Sequence, residues 1–208
     1  MITARIKPRP RLKAVVTRPY QGKGYAEGYE QGKQAEYDRF WDVYQENGNR
    51  TNYYQAFLQI GWYDTTFNPK YPIVCKGGST NASNVFSRTR ATRIPVPFTI
   101  EGIKADGTFY YATALKTISL LVLNGVTGYS NCFVGCSRLE NITIEGSIDV
   151  NFNISATAVL TNESVQSIID HLKDLTGATA QTLGLHSDVM SKLTEEQLLT
   201  ITAKNWTL

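Results

Sequence analysis

Apolar residues recur along the middle of this chain at a fixed interval. Val85, Ala91 and Ile94, then Phe109, Leu115 and Ile118, then Phe133, Leu139 and Ile142 form three triplets of identical internal spacing, each 24 residues after the last. Behind each triplet runs a stretch in which apolar and polar positions alternate, the period of a half-buried strand. Strands are therefore expected over residues 94–100, 117–123, 139–144 and 148–154. The pairs Glu101-Gly102, Asn124-Gly125 and Glu145-Gly146 supply turns. Pro95 and Pro97 cannot donate to a strand ladder, which places the first copy at the end of the stack.

A unit of 20 to 30 residues with spaced leucines and isoleucines reads as a leucine-rich repeat, which buries its apolar ridge only against its neighbours. The fold class expected is α/β: a short leucine-rich-repeat solenoid with a parallel sheet. Residues 85–208 form the repeat domain and its C-terminal cap. After Ala156 the residue usage changes to helices. Thr161 and Asn162 precede Val165, Ile168, Ile169, Leu172 and Leu175, and Thr194 to Gln197 reads as a capping box ahead of Leu198, Leu199 and Ile201. A short apolar strand follows each helix, over 181–185 and 205–208, so the parallel sheet is expected to continue with helices on its other face. Residues 50–84 read as an aromatic cap over the first repeat, because Tyr53, Tyr54, Phe57, Ile60, Trp62, Tyr63, Phe67 and Tyr71 provide large area in few residues.

The first 49 residues read as a separate anchoring or oligomerisation region. Arg5, Lys7, Arg9, Arg11, Lys13, Arg18 and Lys23 precede the first acid, Glu27, and Pro8, Pro10 and Pro19 favour an extended arm. The net charge of the 208-residue chain is only +3, so the basic character is local. These cations suit an acidic protein face. Nucleic acid phosphate is the weaker alternative, since the arm has too few aromatics to stack bases. A helix follows, in which Gly24, Gly28 and Gly32 recur every fourth residue beside Tyr25, Tyr29, Phe40 and Trp41. Each glycine lowers helix propensity by about 1 kcal/mol, a loss that close approach of another backbone, such as a second copy, would offset.

No apolar run approaches the ~18 residues that cross a bilayer, and the N-terminus lacks the apolar core of a secretory signal. Cys75, Cys132 and Cys136 are odd in number and lack metal-ligand spacing, so buried reduced thiols are expected. His171 and His186 have no Cys or carboxylate at ligand spacing. Glu101 and Glu145 sit at repeat turns without the cleft an acid pair needs. The expectation is no catalytic, metal or cofactor site, and a surface role for Glu101, Asn124 and Glu145 on the repeat turns.

One copy carries a specific signature. Phe133, Gly135, Cys136, Ser137, Leu139 and Ile142 resemble the core unit of BspA-type leucine-rich repeats, in which Phe, a small pair with Cys, and Ser precede Leu-x-x-Ile. Phe109 to Ile118 keeps the spacing without the Cys, and the first copy has Val85 and Ala91 where the others have Phe and Leu. The tail from Leu160, with its Leu175 to Leu183 core and terminal Trp206-Thr207-Leu208, is similar to the C-terminal end of such proteins in phages and prophages of Gram-positive bacteria. The resemblance implies a virion protein of the tail or baseplate, made in the host cytoplasm, without enzymatic activity. Its partners would be other phage structural proteins, further copies of itself and a host surface component. The alternative is an intracellular, prophage-encoded adaptor that binds a host protein or nucleic acid through the basic arm.

Overall fold

The alternating segments do become strands, and their side chains align in columns across them. The computed structural model describes residues 69, 72–76 and 82–208, all within one compact unit, Asn47–Leu208. Strands β1 (Ile73–Lys76), β2 (Arg93–Glu101), β3 (Thr117–Asn124) and β4 (Asn141–Gly146) pair in that order, all parallel. Ile94, Ile118 and Ile142 share one register line, and Phe98, Leu121 and Ile144 another. All six are buried. A second parallel sheet has the order β5 (Phe152–Asn153), β6 (Gln181–Gly184), β7 (Trp206–Thr207), and an isolated parallel bridge joins Ile148 to Leu172. The protein is thus α/β with parallel sheets.

Outside the sheet, the turns of successive segments bond to one another. Phe86 donates its N–H to Thr108 O at 2.7 Å, and Phe109 donates to Cys132 O at 2.9 Å. Lys116 donates to Thr92 O at 2.8 Å, and Glu140 to Lys116 O at 2.9 Å. Phenyl rings follow the same line: Phe86 stacks on Phe109 at 5.7 Å and Phe109 on Phe133 at 5.2 Å, and Phe133 meets Phe152 edge-on at 5.4 Å. Phe86 therefore fills the ring position, not Val85. The first segment is one residue shorter between its phenylalanine and Ala91, so Thr89 Oγ1 accepts the Ala91 N–H at 3.2 Å. In the next two segments backbone oxygens do that work, Ala112 O for Leu115 and Cys136 O for Leu139.

Two expectations about the strands change. β2 is not the end of the sheet, since β1 lies outside it. β1 pairs only from Phe98 onward, so Pro95 and Pro97 still fall beyond its ladder. The strand expected over 148–154 is reduced to Phe152–Asn153 and the bridge at Ile148, and the parallel sheet continues as a second sheet rather than as one.

Three helices follow β5: α1 (Asn162–Asp170), α2 (Ser187–Met190) and α3 (Glu195–Ala203). Thr161 caps α1, accepting from Ser164 N, and the capping box at Thr194 and Gln197 is present on α3. The short helix α2, begun by His186, has no counterpart in the sequence pattern. Helix α1 also closes the edge of β4. Ser164 Oγ accepts the Ile142 N–H at 2.9 Å and Ser167 Oγ accepts the Ile144 N–H at 2.8 Å, one hydroxyl for each inward-facing residue of the strand. Ser164 is 3% exposed, and its hydroxyl also reaches Glu140 O at 3.2 Å.

Ser164→Ala leaves the Ile142 N–H without its acceptor in a place water does not reach. The expected loss is ~1–3 kcal/mol, the cost of a stranded buried polar group. Urea denaturation of the variant, beside Ser137→Ala as an exposed control, measures it; equal stabilities would mean that α1 does not secure the strand edge.

Candidate functional site

The surface residues singled out in the sequence are exposed. Glu101 and Asn124 are register partners at the ends of β2 and β3. Glu145 does not join them. β4 reaches its turn sooner after Ile142 than β3 does after Ile118, so Glu145 pairs with Val122, two residues before the turn position, although an irregularity between Ile118 and Leu121 shifts the register one residue toward it. Gly146 then approaches the preceding strand so closely that a Cβ would lie 2.1 Å from Leu123 O. Arg5, Lys7, Arg9, Arg11, Lys13 and Arg18, and Gly24, Tyr25, Gly28, Tyr29, Gly32, Phe40 and Trp41, lie outside the described residues.

A second exposed surface comes from the turns that carry the phenylalanines. Hydrogen bonding sets Arg88, Tyr111 and Gly135 in equivalent places: Arg88 N–H donates to Tyr110 O, and Tyr111 N–H donates to Val134 O, each at 2.7 Å. All three have left-handed backbones, with φ of 55°, 54° and 79°. A side chain there costs ~1–2 kcal/mol relative to glycine. Tyr111 nonetheless carries a ring that is 49% exposed. That ring lies over the backbone of Gly135, where a Cβ would meet Tyr111 Cγ at 3.1 Å, and beside the Tyr110 ring at 4.6 Å and 62°. Val134, whose carbonyl accepts the Tyr111 N–H, is 39% exposed. The sequence reading missed this surface. Its signal was present, because the aligned copies put Tyr111 where the specific repeat has Gly135.

Several titratable groups among the described residues are buried or bonded within the fold. Cys75, Cys132 and Cys136 are free and buried, and burial pushes all three thiols up, Cys136 to about 12. They are thiols rather than thiolates at neutral pH, as buried unreactive cysteines are. His171 caps the end of α1, its Nδ1 2.8 Å from Ser167 O, and His186 Nδ1 accepts the Asp188 N–H at 3.1 Å. Among the described residues no group of three or more His, Cys, Asp or Glu is placed to hold a metal ion. No helix among them is long and apolar enough to cross a membrane.

Among the described residues, Asp149 is the acid engaged on both carboxylate oxygens. Ser147 Oγ donates to Oδ1, and Lys173 Nζ lies 2.9 Å from Oδ2, tying the segment after β4 to the segment after α1. Burial raises the Asp149 pKa, but these donors and the Lys173 charge outweigh it and hold the carboxyl below its ordinary value. Nearby, Tyr129 packs its ring 5.1 Å from Phe152 while its hydroxyl, buried, has no hydrogen-bond partner among the described residues.

Two outcomes follow from these groups. A carboxyl with a depressed folded pKa contributes stability above its unfolded value and loses it as pH falls through the folded one. The melting temperature of the native chain should therefore fall more steeply than that of Asp149→Asn between roughly pH 5 and pH 2; parallel curves would remove Asp149 from the account. Tyr129→Phe deletes an unpaired hydroxyl and keeps the ring contact. Calorimetry should find it as stable as the native chain or up to ~1 kcal/mol more so, whereas a hydroxyl that contributes would lose ~1 kcal/mol.

Comparison of the chain with protein-family models, curated proteins and solved structures finds no match, so its reading rests on its own residues.

Proposed function

We propose that residues 85–208 form a short BspA-like leucine-rich-repeat solenoid, and that the protein is a non-catalytic phage virion component of the tail or baseplate. Its N-terminal region anchors it to the particle or to further copies. Its repeat surface binds host or particle components. The observation that carries this reading is the succession of segments bonded backbone to backbone, with buried phenylalanines in line and variable residues on the turns. Such an array builds one side as core and leaves the other as a recognition surface. The signature around Phe133 to Ile142 and the C-terminal sequence support the assignment to phage particles.

Anchoring by the arm is electrostatic in this reading. Reversing the charges of Arg5, Lys7, Arg9 and Arg11 should therefore lower incorporation into particles severalfold, while changes at Glu101, Asn124 and Glu145 should reduce adsorption to cells and leave incorporation intact. Cosedimentation with purified particles and an adsorption assay read the two quantities separately. A native chain that never cosediments would sink the virion role and favour an intracellular adaptor; hydrolysis of a cell-wall polymer by the purified protein would sink the non-catalytic one.

A further inference from the structure

The turn surface around Tyr111 has the features of a small binding platform. Its ring is half-exposed and held in orientation by the Gly135 backbone beneath it and the Tyr110 ring beside it. A fixed aromatic plane loses little freedom when something settles on it. The backbone at Tyr111 would be relieved by glycine, the residue found at the equivalent Gly135. A position that retains a strained, half-exposed ring outside the buried phenylalanine line is a functional candidate.

We propose that Tyr111 is the stacking platform of a carbohydrate site. A pyranose ring has an apolar face of C–H groups and a rim of hydroxyls. Tyr111 offers the apolar face, and on the turns bonded to its own stand the exposed Val134 and the exposed polar residues Arg88, Ser130 and Asn131, the kinds of group such a rim needs. The footprint decides between a sugar and a protein. A stable protein interface covers ~800 Å² on each side, with a desolvated apolar centre. Two exposed apolar side chains fit one or two sugar rings instead. Affinity for a single ring would be weak and would grow with the number of copies presented together. The inference deepens the recognition role proposed above, and rests on it for its purpose.

The experiment is saturation-transfer NMR on the full chain with methyl glycosides of glucose, galactose and N-acetylglucosamine. At least one should receive saturation from the native protein. Tyr111→Gly and Tyr111→Asn, both suited to a left-handed backbone, should abolish the transfer with melting temperatures within a few degrees of the native chain. No transfer to any of the three sugars overturns the proposal, and so does transfer that survives in either variant. A large fall in melting temperature in both variants assigns the ring to packing and also overturns it. Particle cosedimentation is measured in parallel: its loss in Tyr111→Asn, with no sugar bound by the native chain, would make the platform a protein contact, whereas its absence in the native chain tells against the virion role alone.

Discussion

Everything in the described part of this protein depends on each segment satisfying the backbone of the next. A turn cannot bond to itself completely, so its amides look outward, and the carbonyls of the following turn accept them: Asn84 to Asp106, Phe86 to Thr108, Gly107 to Ser130, Phe109 to Cys132. The same repeat distance sets the phenyl rings in a line and the isoleucines in columns. Burial and hydrogen bonding therefore demand one register. A slip by one residue would turn the inward face of each strand outward, so the two demands reinforce each other. Hydroxyls repair the places where the interval varies. Thr89 stands in for a carbonyl in the shortened first turn, and Thr108 reaches both Ala82 O and Ala105 O at 2.8 and 2.9 Å.

A stack built this way has an end problem, because its last member has donors and no successor. Parallel strands with unpaired edges invite association with other chains. After β4 the chain solves this with a helix: Ser164 and Ser167, one turn apart on α1, offer the oxygens that a further strand would have offered. Thr161 contributes from the cap, donating its N–H to Glu140 O at 2.9 Å. The second sheet is short, and its first strand, β5, precedes α1 in the chain. Its members are held by side chains as much as by ladders. Asn151 Oδ1 accepts from Thr182 N at 2.7 Å, Gln181 Oε1 accepts from Asn151 N at 2.9 Å, and Trp206 Nε1 donates to Lys173 O at 2.9 Å.

What could be read from the sequence was whatever repeats or follows a strong local rule. The spacing located Phe109, Leu115, Phe133 and Leu139 in the core, and capping chemistry located the starts of α1 and α3 at Thr161 and Thr194. Single-residue changes in the interval were not legible. Phe86 replaces Val85 because the shortened turn keeps its register through a Thr89 hydroxyl, and nothing local distinguishes that threonine from a surface one. Glu145 follows Ile142 by three residues where Asn124 follows Ile118 by six, so it falls short of the Asn124 position, and its pairing with Val122 makes that plain. β1 was hidden because it is four residues long and flanks no repeat signature. The exposed tyrosine was legible in principle, but a scan for conserved spacing attends to where the copies agree, and Tyr111 matters where they differ.

That difference bears on how such an array can vary its surface. The left-handed turns are set by the hydrogen bonds between neighbouring segments, and they persist whether the residue is Asn84, Gly107 or Asn131 in one column, or Arg88, Tyr111 or Gly135 in the other. Asparagine and glycine adopt this backbone at low cost, while arginine and tyrosine cost ~1–2 kcal/mol each. Two amides donating at 2.7 Å, from Arg88 and Tyr111 themselves, oppose that cost. Those bonds form whichever residue stands there, so they hold the turn left-handed and leave the side-chain cost relative to glycine in place. The core columns are fixed by packing, whereas in the left-handed column Arg88 and Tyr111 are kept against a cost that glycine would spare, which marks them as positions where the outward side chain matters.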